Sequence, residues 1–160
     1  MKTASTIIEM DDMDRLTQLI RALRNPQFRD QQQLDLLDEV LQNASVIASE
    51  HVPIDVIRMN SRFRVLDLDN GRRARYTLVF PENADISNGR LSILAPLGAA
   101  VLGRRREEVV EAKVPGGRRR LKIEYALYRP TGRTRSIRSR RRIWPSQDLE
   151  TGTHAAPVAA

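Results

Sequence analysis

The spacing of apolar residues changes once along this chain, and the change limits the folds available to it. Between Asp11 and Glu50 the apolar residues recur three and four positions apart, as on one face of an α-helix. From Ile54 to Tyr128 they fall in short runs bounded by turn formers, as in β-strands. A proline-containing break at residues 51–53 separates the two patterns. We therefore predict an α+β chain in which helices precede a sheet.

The helical part contains two segments joined by a short break. The first helix is predicted over Asp11–Arg24, where acids in the first turn favour the helix dipole. Pro26 ends it, because a proline disfavours helical backbone in the residue before it. The second helix is predicted from a cap at Asp30 to about Glu50. These features predict a short antiparallel coiled-coil hairpin domain over residues 1–52, although two helices of an ordinary bundle fit the same spacing.

The strand-like part is punctuated by turn residues. Asn70-Gly71 lies between two strand-like runs, which is a strong signal for a β-hairpin. A short helix is predicted from Pro96 to Gly103, with proline at its start and glycine after its end. We predict a largely antiparallel sheet over residues 53–130. Its strands are predicted at Arg62–Leu68, Arg72–Phe80, Leu91–Leu94, Val109–Val114 and Arg119–Tyr128.

Charge is unevenly distributed along the chain. Residues 1–55 contain 5 basic and 10 acidic side chains, residues 56–130 contain 16 and 8, and residues 131–160 contain 6 and 2. This asymmetry favours a polyanionic or acidic partner for the basic part. Residues 131–160 are rich in arginine and poor in apolar side chains, so we predict a disordered tail there.

Targeting signals are not apparent. The first residues lack a basic region followed by an apolar run, and no apolar stretch approaches the ~20 residues of a membrane span. The chain contains no cysteine, which fits a reducing compartment. We expect a cytoplasmic protein that does not contact a membrane.

Catalytic motifs are also not apparent. The two histidines, His51 and His154, have no nucleophile or carboxylate near them in a recognisable motif. Gly116-Gly117 is not followed by the Gly-Lys-Ser/Thr of a phosphate-binding loop, and no His or Cys cluster suggests a metal site. We therefore predict no catalytic residues, no metal, no cofactor and no small-molecule substrate, and we expect that the protein is not an enzyme.

The tail offers one candidate for nucleic-acid binding. Arginines release counterions from phosphates, and the nearby Trp144 could stack on a base. Nucleic-acid binding through the tail is the principal alternative function. The residues concerned are Arg133, Arg135, Arg138, Arg140, Arg141 and Arg142.

Three segments together resemble a known family. They are Met59–Asp85, Leu91–Gly103 and Val114–Tyr128, which resemble the C-terminal domain of Gre-type transcript-cleavage elongation factors. Within that superfamily the chain is most similar to the bacterial family named regulator of nucleoside diphosphate kinase, over roughly residues 5–130. The resemblance implies an FKBP-like second domain behind a coiled-coil hairpin. An FKBP-like fold raises prolyl isomerase activity as a third candidate, by fold analogy alone.

The resemblance also implies a partner and a docking segment. Gre-type factors bind RNA polymerase, with the C-terminal domain on the rim of the secondary channel and the coiled coil inside it. Matching the turn before the short helix makes Ala95, Pro96, Leu97 and Gly98 the candidate polymerase-docking residues. The family name further implies an indirect effect on nucleoside diphosphate kinase levels.

The break between the two helices departs from the cleavage-factor pattern. The resemblance implies that cleavage factors have long helical arms and a pair of acids at the tip. These acids help to hold a magnesium ion. Here the candidate tip residues Phe28, Arg29 and Asp30 provide one carboxylate, and the first arm reaches about 21 Å. One carboxylate beside arginines is a poor Mg²⁺ site. We therefore expect a polymerase-binding regulator that lacks cleavage activity and competes with Gre factors.

Overall fold

The computed structural model describes residues 5–114 and 117–128 and has a mixed α+β fold with few helices and a curled sheet. A two-stranded sheet and two helices come first, and a five-stranded sheet with one short helix follows. Short 3-10 helices lie at Ser49–His51, Pro81–Asn83 and Ile86–Asn88. The main elements are β1 (Ile7–Glu9), α1 (Met10–Leu23), α2 (Gln31–Gln42), β2 (Ser45–Ile47), β3 (Ser61–Asp67), β4 (Arg73–Val79), β5 (Arg90–Ser92), α3 (Pro96–Val101), β6 (Val109–Val114) and β7 (Gly117–Tyr128).

The first two helices form a hairpin. Arg24, just after α1, donates to the Asp38 carboxylate of α2 at 3.0 Å, and the Ser45 amide after α2 donates to the Thr6 carbonyl before α1 at 2.8 Å. The two helices therefore run in opposite directions. Their buried apolar residues are Leu16 and Ile20 in α1 and Leu34, Leu37 and Leu41 in α2. The start and end predicted for α1 are correct to within one residue.

The predicted end of the second helix is wrong. We expected a helix to about Glu50, but α2 ends at Gln42, where the Asn43 side chain donates to the Glu39 carbonyl. The following residues form β2, which pairs in parallel with β1. Ile47 fits the helical spacing in the sequence, but its backbone belongs to a strand because β1 offers it a hydrogen-bonding partner.

The predicted cap at Asp30 is only partly correct. Asp30 occupies the N-cap position of α2, and its backbone carbonyl accepts bonds from the amides of Gln33 and Leu34. Its carboxylate makes no capping hydrogen bond. The side chain is exposed, so its charge remains at the surface of the hairpin tip.

The strand order of the main sheet is β5-β4-β3-β7-β6, and all neighbouring pairs are antiparallel except β4 and β5. The β3–β4 hairpin predicted at Asn70-Gly71 is confirmed, and Gly71 adopts a positive φ of 72° there. Between β3 and β7 the register shifts at Arg64/Val65, which marks a β-bulge. The predicted positions of all five strands are confirmed to within two residues.

The short helix packs closely on the strand before it. Pro96 is at its first turn as predicted, and Gly98 faces the backbone of Ser92. A Cβ atom at position 98 would collide with the Ser92 carbonyl oxygen. The glycine therefore allows α3 to lie against the end of β5.

One hydrophobic core extends from the helical hairpin to the main sheet. It includes Leu16 and Leu34 of the hairpin together with Phe63, Leu97 and Ile123 of the second part. The division into domains at residues 52 and 53 remains a prediction. Among the described residues, no helix has both the length and the apolar character that a bilayer span requires.

Candidate functional site

The hairpin tip is held by its own polar groups. The Gln31 side-chain amide donates to the Asn25 carbonyl at 2.8 Å and to the Phe28 carbonyl at 3.0 Å. The Gln27 amide donates to the Asn25 side-chain oxygen at 3.0 Å. These bonds fix the turn, and the predicted tip residue Phe28 packs against the core.

Charged side chains of both signs surround the tip. Asp30 and Arg29 are both exposed, and Arg24 engages two α2 carboxylates, Asp38 at 3.0 Å and Asp35 at 3.5 Å. The sequence alone does not indicate these two ion pairs, because Asp35 and Asp38 lie 11 and 14 residues from Arg24. Throughout the described part of the chain, no group of three or more His, Asp or Glu side chains is placed to hold a metal ion.

The four candidate docking residues lie together at the start of α3 but differ in exposure. Ala95, Leu97 and Gly98 are buried, whereas Pro96 is partly exposed. The turn before them is fixed by Ser92, whose hydroxyl accepts the Leu94 amide at 3.1 Å and whose carbonyl accepts the Ala95 amide at 3.0 Å. Within the set, Pro96 provides the accessible side chain and the other three fix its position.

A polar junction joins the helical hairpin to the main sheet, and sequence reasoning missed it. Arg58 donates to the Glu9 carboxylate at 3.1 Å, and its guanidinium lies 4.0 Å from the ring centre of Tyr128. The Arg58 and Glu9 side chains are only 9% and 8% exposed. A buried ion pair of this kind is costly to break, because either partner alone would be a buried, unpaired charge.

Asp12 adds a second bond to this junction. Its carboxylate accepts the Met59 backbone amide at 3.1 Å. Burial raises the pKa of Asp12 to about 6, while the Met59 amide opposes the shift and the nearby Glu9 charge adds to it. In the sequence Asp12 is one of the acids in the first turn of the first helix, and nothing there indicates a contact 47 residues away.

Gly103 completes the junction through its backbone. Its amide donates to the Ile57 carbonyl at 2.8 Å, and its carbonyl accepts the Ile7 amide of β1 at 3.1 Å. Its φ is +73°, and a Cβ atom there would lie 2.5 Å from the Thr6 side chain. Glycine is required here for both reasons.

The arginines proposed for nucleic-acid binding, residues 133–142, lie outside the described residues, as do Pro115 and Gly116 between β6 and β7. The candidate site therefore consists of the hairpin tip, the Pro96 turn and the junction that fixes one relative to the other.

Comparisons with known proteins show which family has this architecture. Residues 51–128 match the family described as transcription elongation factor, GreA/GreB, C-term. The regulator of nucleoside diphosphate kinase of Escherichia coli (strain K12) is 35% identical over 117 residues, covering 73% of this chain and 84% of that protein. The transcription elongation factor GreA of Chloroherpeton thalassium is 31% identical over 102 residues, covering 64% of this chain and 65% of that protein.

A solved structure agrees with these matches. The prokaryotic transcription elongation factor GreA/GreB from Nitrosomonas europaea is similar with a TM-score of 0.64 and 32% identity, over 79% of this chain and 100% of that one. A mixed α+β fold with few helices is thus shared with a Gre-type protein. The chain belongs to the Gre-type family of transcription elongation factors and regulators of nucleoside diphosphate kinase. Its relatives are named as regulators or elongation factors, not as enzymes.

Proposed function

We propose that this protein is a non-enzymatic regulator that binds RNA polymerase at the entrance of the secondary channel and does not stimulate transcript cleavage. Family membership supports RNA polymerase as the partner, because the match to the Gre C-terminal family covers all five strands of the main sheet. The description of the hairpin as a coiled coil and of the sheet domain as FKBP-like belongs to this proposal, as does a cytoplasmic location.

The observation that carries the proposal is the composition of the hairpin tip. The turn itself carries one carboxylate, the exposed Asp30, next to the arginine Arg29, and the neighbouring α2 acids Asp35 and Asp38 form ion pairs with Arg24. Magnesium requires several oxygen ligands in near-octahedral geometry. A tip with one free acid could occupy a channel but is poorly suited to delivering a metal ion.

The lengths of the arms support the same conclusion. With 14 residues in α1 and 12 in α2, the arms extend about 21 Å and about 18 Å. The resemblance to cleavage factors implies arms that are several turns longer. We infer that the hairpin reaches the channel entrance and competes there with Gre factors.

Pro96 is the residue that we propose for direct docking. It is the accessible member of the predicted set and is held at the first turn of α3 by the bonds of Ser92. The other three residues of the set contribute to docking by fixing the position of Pro96; they are Ala95, Leu97 and Gly98. An effect on nucleoside diphosphate kinase levels would follow indirectly from altered transcription.

A pull-down with core RNA polymerase, with and without a competing Gre factor, tests this proposal. We expect binding at micromolar protein concentration, loss of binding when the Gre factor is added, and no cleavage of the transcript in backtracked complexes. Pro96→Ala should weaken binding. Pro81→Ala is the matched control and should leave binding unchanged, since Pro81 is also half-buried at the first position of a short helix but lies outside the proposed docking turn. Absence of binding at micromolar concentration would rule the proposal out.

A further inference from the structure

The outer face of the β6–β7 pair is strongly basic. Side chains of paired strands alternate between the two faces of a sheet, and Val110 and its partner Leu121 are buried toward the core. Six side chains lie on the opposite, outer face, and four of them are basic. They are Val109, Glu111, Lys113, Arg118, Arg120 and Lys122. None of them belongs to the hairpin tip, the Pro96 turn or the junction.

Two of these cations are direct cross-strand neighbours. Lys113 of β6 is opposite Arg118 of β7, and the Cβ atoms of residues so paired lie about 5 Å apart. Like charges in this position repel each other and weaken the pairing of the strands. Both side chains are exposed, so an anion arriving from solution can contact both at once. Such an anion converts the repulsion into two attractive contacts.

Arg120 continues the row of positive charge along β7. It lies two residues after Arg118 on the same face, about 7 Å further along the strand. Its backbone carbonyl accepts the Leu68 amide at 3.0 Å, and its amide donates to the Asp69 carboxylate at 3.4 Å. The backbone at Arg120 is therefore fixed against the β3–β4 turn, while its side chain remains exposed.

The acids on and beside this face leave it with a net positive charge. Glu111 is the one acid among the six outer side chains and lies opposite Arg120. Lys122 forms an ion pair at 3.0 Å with Glu107, and its hydrogen bond lowers the pKa of that carboxyl group. We call the remaining three cations the basic patch; they are Lys113, Arg118 and Arg120.

We propose that the basic patch is a docking surface for the phosphate backbone of a nucleic-acid duplex. Guanidinium groups bind phosphate through paired hydrogen bonds, and contacts of this kind supply much of the affinity of proteins for duplexes. Proteins that bind single strands stack bases on aromatic side chains, and none of the six outer side chains is aromatic. The patch therefore fits a duplex, contacted through its backbone and without sequence preference.

Fluorescence anisotropy of a labelled DNA duplex, titrated with the full-length protein at several salt concentrations, tests the proposal. We expect saturable binding that weakens linearly on a logarithmic salt scale. Arg118→Gln and Arg120→Gln should each weaken binding about fivefold to tenfold at about 0.1 M salt and reduce the salt slope by about 0.9, the contribution of one phosphate contact. Glu111→Gln removes the acid of this face and should strengthen binding.

A matched arginine separates the patch from general charge attraction. Arg62 is also exposed on the outer face of the sheet, but it lies opposite Leu127, about 30 Å along β7 from Arg118. Arg62→Gln should leave binding nearly unchanged. Arg118→Gln removes a like-charge neighbour of Lys113, so the variant should be at least as stable to urea as the parent protein.

Two further probes and one further variant give the remaining outcomes. The probes are the single-stranded oligonucleotide and poly-glutamate, both of which should bind more weakly than the duplex. The variant replaces Arg140, Arg141 and Arg142 with glutamine and should retain the loss caused by Arg118→Gln. The proposal is overturned by absence of duplex binding, by equal losses in Arg62→Gln and Arg118→Gln, or by binding that depends on residues 140–142 alone. Poly-glutamate binding as tight as that of the duplex would overturn it in favour of an acidic protein partner.

Discussion

The guanidinium of Arg58 and the carboxylate of Glu9 form a buried ion pair at 3.1 Å between the segment that precedes the main sheet and the strand that leads into the helical hairpin. The Tyr128 ring covers the same guanidinium. This pair fixes the hairpin relative to the sheet, and therefore the tip relative to Pro96.

Breaking this pair should be strongly destabilising. We expect Glu9→Gln to lower the free energy of unfolding by about 3–5 kcal/mol, because Arg58 would remain buried without its counter-charge. Urea unfolding measures this change. Asp38→Asn, which removes a partly exposed partner of Arg24, is the control and should cost less than about 1 kcal/mol. Equal effects of the two substitutions would contradict the role of the junction.

Stability should depend on pH through Asp12. The pKa of Asp12 is about 6 in the folded protein and near its usual 3.8 in the unfolded chain, so the folded state binds the proton more tightly. Between these values the folded state holds more protons, and the Asp12 contribution to stability falls as pH rises. The total loss by pH 7 is roughly 3 kcal/mol.

Asp12→Asn isolates this effect. The amide oxygen can still accept the Met59 amide, but it does not ionise. We expect the variant to match the parent protein near pH 4 and to be more stable at pH 7, as measured by unfolding at a series of pH values. A variant that is less stable than the parent at pH 7 would show that the charged carboxylate stabilises the junction.

Two glycines with the same backbone conformation should respond differently to alanine. Gly71 and Gly103 have φ values of +72° and +73°, but a Cβ atom meets nothing within 4 Å at Gly71 and meets Thr6 and Ile7 at Gly103. We expect Gly71→Ala to cost about 1–2 kcal/mol from its left-handed backbone alone. Gly103→Ala should lower the free energy of unfolding by about 1–3 kcal/mol more than Gly71→Ala does, because its Cβ atom overpacks the site.

Hydrogen exchange at the Ile7 amide separates the two glycine effects. That amide donates to the Gly103 carbonyl, so its protection should fall in Gly103→Ala beyond what the loss of global stability explains. It should not do so in Gly71→Ala. Equal unfolding free energies for the two variants would show that β1 moves away at little cost.

The tip turn should depend on one glutamine. Gln31→Ala removes the donor to the Asn25 and Phe28 carbonyls, and we expect a loss of about 1 kcal/mol in the free energy of unfolding. The neighbouring exposed Gln32 provides a matched control, since Gln32→Ala should change stability little. If both variants unfold alike, the tip does not depend on Gln31.

Much of the sheet could be predicted from the sequence because its signals are local. Asn70-Gly71 specifies a hairpin, and Pro96 specifies the start of a helix, from the backbone preferences of those residues. The end of α2 could not be predicted in this way. Ile47 has the spacing of a helical residue, and only its pairing with Glu9, 38 residues away, makes it part of a strand.

The candidate site was predictable only in part for the same reason. The single exposed carboxylate at the tip is visible in the sequence, and so is the proline of the α3 turn. The junction is not, because Glu9 and Arg58 resemble ordinary surface charges until the fold brings them together. The burial of Leu97 also depends on how α3 packs against the sheet.

Site-specific photocross-linking in the complex with RNA polymerase tests the central claim most directly. A photoreactive amino acid at position 29 marks the hairpin tip, and the same group at position 72 marks the distant β3–β4 turn; both residues are exposed arginines. We predict that position 29 cross-links to polymerase segments lining the secondary channel, that a Gre factor suppresses this cross-link, and that position 72 does not give it. A position-29 cross-link elsewhere on the polymerase, or one that a Gre factor does not suppress, would contradict binding at the channel entrance.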